Sequence, residues 1–131
     1  MTHQLWQLEE FPFHPENLNH YETLFTIGNG YLATRGSFEE GFEGDLSTTM
    51  VHGIFDHAEG ALVPELVNAP NWLPIQIKID GTLFHLVNQN NMNLTPSNGA
   101  VIGYRRTLLL DKGVLKREVL FRAESGSIVR L

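Results

Sequence analysis

Two adjacent carboxylates, Glu39 and Glu40, are the first residues in this chain whose types could do chemistry. A pair of acids can cleave a glycosidic bond, one protonating the leaving oxygen while the other attacks or activates water. That reaction needs a set separation across a sugar, whereas neighbours on a strand point to opposite faces. The pair therefore reads as surface or ion-paired carboxylates, and no residue is assigned a catalytic role. Arg35 is the only base among residues 1–66. It is expected to pair with a nearby carboxylate such as Glu39 or Glu40, although its guanidinium fork would also suit an anionic ligand.

His52 and His57 stand five positions apart, and His3, His14, His20 and His85 are scattered. That is no metal-ligand spacing, so neither a metal site nor a cofactor is expected. Ser37, Ser47 and Ser97 lack the Gly-x-Ser-x-Gly context of an activated nucleophile. Gly28-Asn29-Gly30 lacks the third glycine and the following helix of a phosphate loop. The stretch Asn68-Ala69-Pro70-Asn71-Trp72 is the candidate for ligand contact. Trp72 can stack on the apolar face of a pyranose while Asn68 and Asn71 bond its hydroxyls. The alternative has Trp72 anchoring a strand start in the core and the asparagines holding a turn.

The elements that must position these groups are strands. Two β-prone runs flank Asn29-Gly30, whose tolerance of positive φ predicts a two-residue hairpin loop over 22–38. Gly28 and Gly36 mark bulges or close backbone approaches. Residues 48–55 form a β-branched run broken by Gly53. Ile75, Ile77 and Ile79 alternate with polar residues, predicting a half-buried strand that stops at Asp80-Gly81 and returns through 82–87. Residues 104–110 and 114–121 flank Asp111-Lys112-Gly113 as a further hairpin, and the Asn-rich stretch 88–99 reads as a surface loop. Helix evidence is one turn over 15–21. Short strands at regular intervals predict an all-β, antiparallel sandwich.

Composition bounds the rest. The 131 residues suit one domain, and 41 of them are Leu, Ile, Val or Phe, enough for one core and too many for a disordered chain. The absence of cysteine excludes a disulfide scaffold and thiol catalysis. No signal-like N-terminus or apolar run of spanning length occurs, so a cytoplasmic chain without a membrane partner is expected. Residues 1–66 hold eleven acids against Arg35, while 67–131 hold four acids and eight bases. A net charge of −6 with no basic aromatic stripe argues against nucleic acid. The cluster Arg105, Arg106, Lys112, Lys116, Arg117 and Arg122 could hold phosphate, but it reads better as solvent-side residues or as partners for the acidic half across a sheet. Residues 127–131 begin a strand that stops in mid-alternation, so 1–131 is expected to be a partial domain.

The stretch Ile27-Gly28-Asn29-Gly30-Tyr31-Leu32-Ala33-Thr34-Arg35-Gly36-Ser37-Phe38-Glu39-Glu40 resembles the LGNGYxGxRGxxEE opening of glycoside hydrolase family 65. That family comprises the maltose, kojibiose and trehalose phosphorylases and acid trehalases. Ala33 stands where the family usually has Gly. Further matches follow in order at 53–56, 65–73, 75–81, 104–108 and 112–118. The resemblance implies the first part of an N-terminal super-sandwich, galactose mutarotase-like, in which Gly28, Asn29, Gly30, Arg35 and Gly36 are structural. In the family a helical linker, an (α/α)6-barrel and a small β-domain follow, and the barrel holds the general acid and the phosphate or water site. The resemblance thus implies a scaffold without catalytic residues, inactive alone. Its parent would be an inverting enzyme acting on an α-linked glucose disaccharide with inorganic phosphate or water, as a homodimer. The other reading is a free-standing carbohydrate-binding or interaction module dependent on Trp72.

Overall fold

The computed structural model describes residues 6–42, 44–87 and 99–131. Its centre is a long hairpin of β8 (Gly99–Leu109) and β9 (Val114–Ala123). These strands pair antiparallel from Gly99 opposite Ala123 to Leu109 opposite Val114, with one irregularity between Val101 and Gly103. β1 (Gln7–Glu10) flanks β8 and β10 (Ile128–Arg130) flanks β9, giving the order β1-β8-β9-β10. A second four-stranded sheet orders β2 (Ile27–Gly28), β3 (Leu32–Thr34), β4 (Thr49–Asp56) and β5 (Glu65–Ala69) in sequence. β6 (Lys78–Ile79) and β7 (Thr82–Leu83) form a small ribbon, and α1 (Leu18–Leu24) follows a 3-10 turn at Pro15–Asn17. All strand pairs among the described residues are antiparallel, in line with the expected all-β, antiparallel architecture.

The period of two explains the inner face of the central hairpin. Tyr104, Arg106 and Leu108 on β8 share one parity, Val119, Phe121 and Ala123 on β9 the other, and all six are buried. Phe84, Leu86 and Val87 cover this face beyond β7, together with Ile79, Leu18 and Phe38. Phe84 meets Phe121 edge-on, with ring centroids 5.1 Å apart. The second sheet is less covered: Tyr31, Leu32, Ile54, Phe55 and Leu66 are all exposed. No helix among the described residues is long and apolar enough to cross a membrane.

Several local expectations shift. The β2–β3 loop is Gly30-Tyr31, one residue later than Asn29-Gly30, because Gly28 pairs with Ala33 and the Asn29 N–H donates to Leu32 O at 3.1 Å. Gly30 then occupies the first central position with φ +89°, which a residue with a Cβ resists. The strand expected over Ile75–Ile79 shortens to two residues, with Ile75 exposed and only Ile79 buried. The backbone from Asn71 to Ile77 runs outside any ladder, with Ile75 N donating to Glu39 O at 2.9 Å. Its turn is where the sequence puts it, Asp80 and Gly81 both having positive φ. The helix runs to Leu24, longer than one turn, because Leu18 and Glu22 on one of its faces are buried by tertiary packing. The Gly53 break is a bulge, the β4–β5 register shifting between Met50 and Phe55. The Asn-rich stretch lies outside the described residues, apart from Gly99, which opens β8.

Candidate functional site: the motif loop and its cleft

β8 sets Arg106 on the inner face, where a charge is tolerable only if paired and hydrogen-bonded. Its Nε donates to Glu10 Oε2 at 2.6 Å, and the Tyr104 hydroxyl donates to the same oxygen at 2.5 Å. Nη1 donates to the Gly36 carbonyl at 2.8 Å, so β1, β8 and the segment after β3 meet at one guanidinium. The group lies over the rings of Phe25 and Phe38, 5.1 and 4.7 Å from their centroids. Burial, together with the Glu10 contact, drives the Tyr104 hydroxyl far above its ordinary pKa and keeps it a donor. Gly36 is required by space: a Cβ there would lie 2.6 Å from Phe25 Cβ and 2.9 Å from Phe25 O.

Arg35 does not reach Glu39 or Glu40. Its Nη2 donates to Asn19 O at 2.8 Å, and its Nε lies 3.4 Å from Glu22 Oε2. The α1 helix turns Glu22 inward next to Arg35, so sequence adjacency to Glu39 is overruled by tertiary packing. Glu22 is fully buried, and burial followed by repulsion from Asp45 raises its pKa to about 7 despite Arg35 and Arg106. Asp45 is raised as well, chiefly by burial. The partner of the Glu39-Glu40 pair is Arg117 on β9, whose ring contact is again Phe38, 5.3 Å from the centroid.

Asn29 stabilises the hairpin loop from within: its Oδ1 accepts from Tyr31 N at 3.0 Å and Leu32 N at 2.9 Å. Above the motif loop opens a cleft of ≈ 510 Å³ between the β2–β3 hairpin and the tip of the β8–β9 hairpin. Buried Phe25, Phe38 and Arg106 form its floor, while Leu32, Gly113 and Trp72 stand at its rim. Trp72 is 62 % exposed, outside the core, and its Nε1 donates to Thr34 Oγ1 at 2.8 Å. Asn68 sits on β5 with its amide engaged at both ends, Oδ1 accepting from Thr49 N and Nδ2 donating to Ser47 O. Asn71 Oδ1 accepts from Leu73 N and shapes the turn beside Trp72. Of the three residues considered for sugar contact, Trp72 alone lines the cleft; Gly28, Asn29, Arg35 and Gly36 also line it.

Sequence reasoning did not single out Glu10, Glu22 or the buried roles of Arg106 and Arg117. A signal existed for Arg106, which shares the parity of Tyr104 and Leu108 and so had to face inward with them.

Residues 8–131 match the family described as "Glycosyl hydrolase family 65, N-terminal domain". The chain is 36 % identical over 126 residues to the kojibiose phosphorylase of Thermoanaerobacter brockii, covering 96 % of this chain and 15 % of that protein. It is 26 % identical over 140 residues to the alpha,alpha-trehalose phosphorylase of the same organism, covering 96 % and 17 %. Among solved structures, one described as "Putative kojibiose phosphorylase from human microbiome" superposes with a TM-score of 0.72 at 22 % identity, over 91 % of this chain and 16 % of that one. That likeness carries the fold alone. The chain thus spans about one-sixth of the length of the relatives it matches. With the motif residues at the crossing of β1, β3 and β8 and the family match running from Leu8 to Leu131, this chain belongs to glycoside hydrolase family 65, whose N-terminal domain it matches.

Proposed function

We propose that the chain is the non-catalytic, scaffolding part of a carbohydrate-active enzyme that phosphorolyses or hydrolyses an α-linked glucose disaccharide such as kojibiose, trehalose or maltose. The observation that carries this reading is the fate of the motif carboxylates. Glu39 and Glu40 share one guanidinium, and Glu10 and Glu22 are buried against Arg106 and Arg35. A glycosidase needs one acid with a proton to give and a second group free to attack or activate water, held across an open space. Glu10, Glu39 and Glu40 instead tie elements of the domain to one another, and Glu22 is fully buried, with no open space beside it for a sugar. The disaccharide, inorganic phosphate and the acid that protonates the glycosidic oxygen then belong to the catalytic portion, with this domain packed against it and contributing to a homodimer in the cytoplasm.

The test is turnover. The 131-residue chain is expected to release no glucose or glucose phosphate from kojibiose, trehalose or maltose, with or without phosphate. Reproducible turnover abolished by Glu39→Gln or Glu40→Gln would overturn the reading.

One observation favours a second reading, an accessory saccharide contact: Trp72 is exposed at the rim of an open cleft. Its test is a titration with the same disaccharides followed by tryptophan emission. A saturable change that Trp72→Ala removes supports it, and a flat trace excludes it.

A further inference from the structure

The β2–β3 loop brings together the parts of an intramolecular reaction. The side-chain amide carbon of Asn29 and the backbone nitrogen of Gly30 are tethered so closely that a bond between them closes a five-membered ring. The electrophile is polarised, because Asn29 Oδ1 accepts from Tyr31 N at 3.0 Å and from Leu32 N at 2.9 Å. Those two N–H groups are aimed at the oxygen on which negative charge gathers when the amide carbon is attacked, which is the arrangement of an oxyanion hole. The nucleophile is unencumbered: the Gly30 N–H meets no acceptor among the described residues, and no atom lies within 4 Å of where a Cβ on Gly30 would stand. Asn29 and Gly30 are both exposed, so water reaches the loop. The other asparagines among the described residues, Asn17, Asn19, Asn68 and Asn71, each precede a residue that carries a Cβ.

We propose that Asn29 is a site of spontaneous covalent modification, a deamidation that the hairpin loop itself assists. The Gly30 nitrogen attacks Asn29 Cγ, the Cγ–Nδ2 bond breaks, and the proton lost by the Gly30 nitrogen balances the one that Nδ2 takes up as it leaves as ammonia. Water then opens the succinimide. Attack at Cγ breaks its bond to the Gly30 nitrogen and gives aspartate, whereas attack at the Asn29 backbone carbonyl carbon gives isoaspartate. The two products act differently on the fold. Aspartate keeps an acceptor for the Tyr31 and Leu32 N–H groups and makes both bonds charge-assisted. Isoaspartate inserts a side-chain carbon into the main chain ahead of Gly30, which displaces the bond from Asn29 N to Leu32 O and the Gly28–Ala33 pairing behind it. Asn29 and Leu32 both line the cleft, so this second product also reshapes the cleft wall. The inference stands independently of the scaffold reading.

The experiment incubates the 131-residue chain at pH 8, folded in buffer and unfolded in urea, with circular dichroism reporting the state of each sample. Peptide mass mapping follows the exchange of amide for acid, and chromatography separates the aspartyl and isoaspartyl peptides. The sequence holds a second Asn-Gly pair, Asn98-Gly99, whose asparagine lies outside the described residues; mapping reads the two apart. The expected result is that Asn29 in the folded chain converts at least as fast as in urea, and ahead of Asn17, Asn19, Asn68 and Asn71. Slower conversion of Asn29 in the folded chain than in urea overturns the proposal, since the loop would then shield the amide instead of activating it. Asn29→Asp, which carries the aspartate product from the start, is expected to unfold at the same denaturant concentration as the parent chain or a higher one. A lower midpoint would overturn the assignment of the two N–H groups as donors to a developing negative charge.

Discussion

Arg117 holds Glu39 and Glu40 together, its Nη2 lying 2.9 Å from Glu39 Oε2 and its Nη1 2.6 Å from Glu40 Oε2. Two acids next to one another in sequence would repel if both were ionised at close range. One guanidinium on β9, lying over the ring of Phe38, lets them share a turn. The side chain of Glu40 is 2 % exposed and that of Glu39 35 %, so the first is the structural anchor and the second a partly wet companion.

Arg117→Met should therefore be strongly destabilising, by about 3 kcal/mol, because it strands a buried Glu40 carboxylate without its partner. Glu40→Gln should cost less, and Glu39→Gln least, in the order of their burial. Urea denaturation midpoints at constant m-value check the ranking. Equal effects for the two glutamates would contradict it.

Gly36→Ala should be far more damaging than an ordinary surface change. The new methyl group would fall within 2.6 Å of Phe25 Cβ, and the Gly36 carbonyl that accepts from Arg106 would be displaced. A loss of about 2 kcal/mol or more is expected, at the upper end of what overpacking costs. Thermal unfolding followed by circular dichroism would show it as a fall of roughly 10 °C.

Stability should vary with pH through Glu22. Its pKa is raised in the folded chain to about 7, from an ordinary 4.5, so between these values the folded state holds a proton that the unfolded state has released. Stability from this group is complete below the ordinary value and is lost as pH rises toward 7. Asp45, also raised, adds in the same direction. Glu22→Gln should flatten this part of the profile and gain on the parent chain as pH rises. Denaturation midpoints at pH 5, 6, 7 and 8 would test it; parallel profiles for the two proteins would refute the assignment.

Phe121→Ala should cost about 3–5 kcal/mol, since the ring is wholly buried at the meeting of β9 and Phe84. Tryptophan emission is a poor readout for such a variant: Trp6 and Trp72 are both more than half exposed and should change little on unfolding. Far-ultraviolet circular dichroism is the suitable probe.

Patterning carried the hairpins well. The 104–110 and 114–121 runs became β8 and β9, and Asp80-Gly81 and Gly30 became turn residues because their backbone requirements are local. The same reasoning failed at Ile75, whose alternation is a strand pattern but whose backbone is tied to Glu39 instead of a neighbouring strand. Ion pairing was legible only in kind. The acidic half does meet the basic half, at Glu10 with Arg106 and Glu40 with Arg117, but those partners are 96 and 77 residues apart and only the fold selects them. Arg35 shows the limit most plainly, passing over two acids nearby in sequence for Glu22 on the helix.

The central hairpin also sets an order of events in folding. β8 and β9 are joined by four residues, so their ladder closes a short loop at small entropic cost, whereas Glu10 must cross most of the chain to find Arg106. The hairpin should be the early, high-φ part of the transition state, with the cluster at Glu10, Gly36 and Arg106 consolidating late. Mutations at Val119 or Phe121 would then slow folding, while those at Glu10 would chiefly hasten unfolding. The buried cluster of Glu10, Gly36 and Arg106 would thus set how long the folded domain lasts more than how fast it forms.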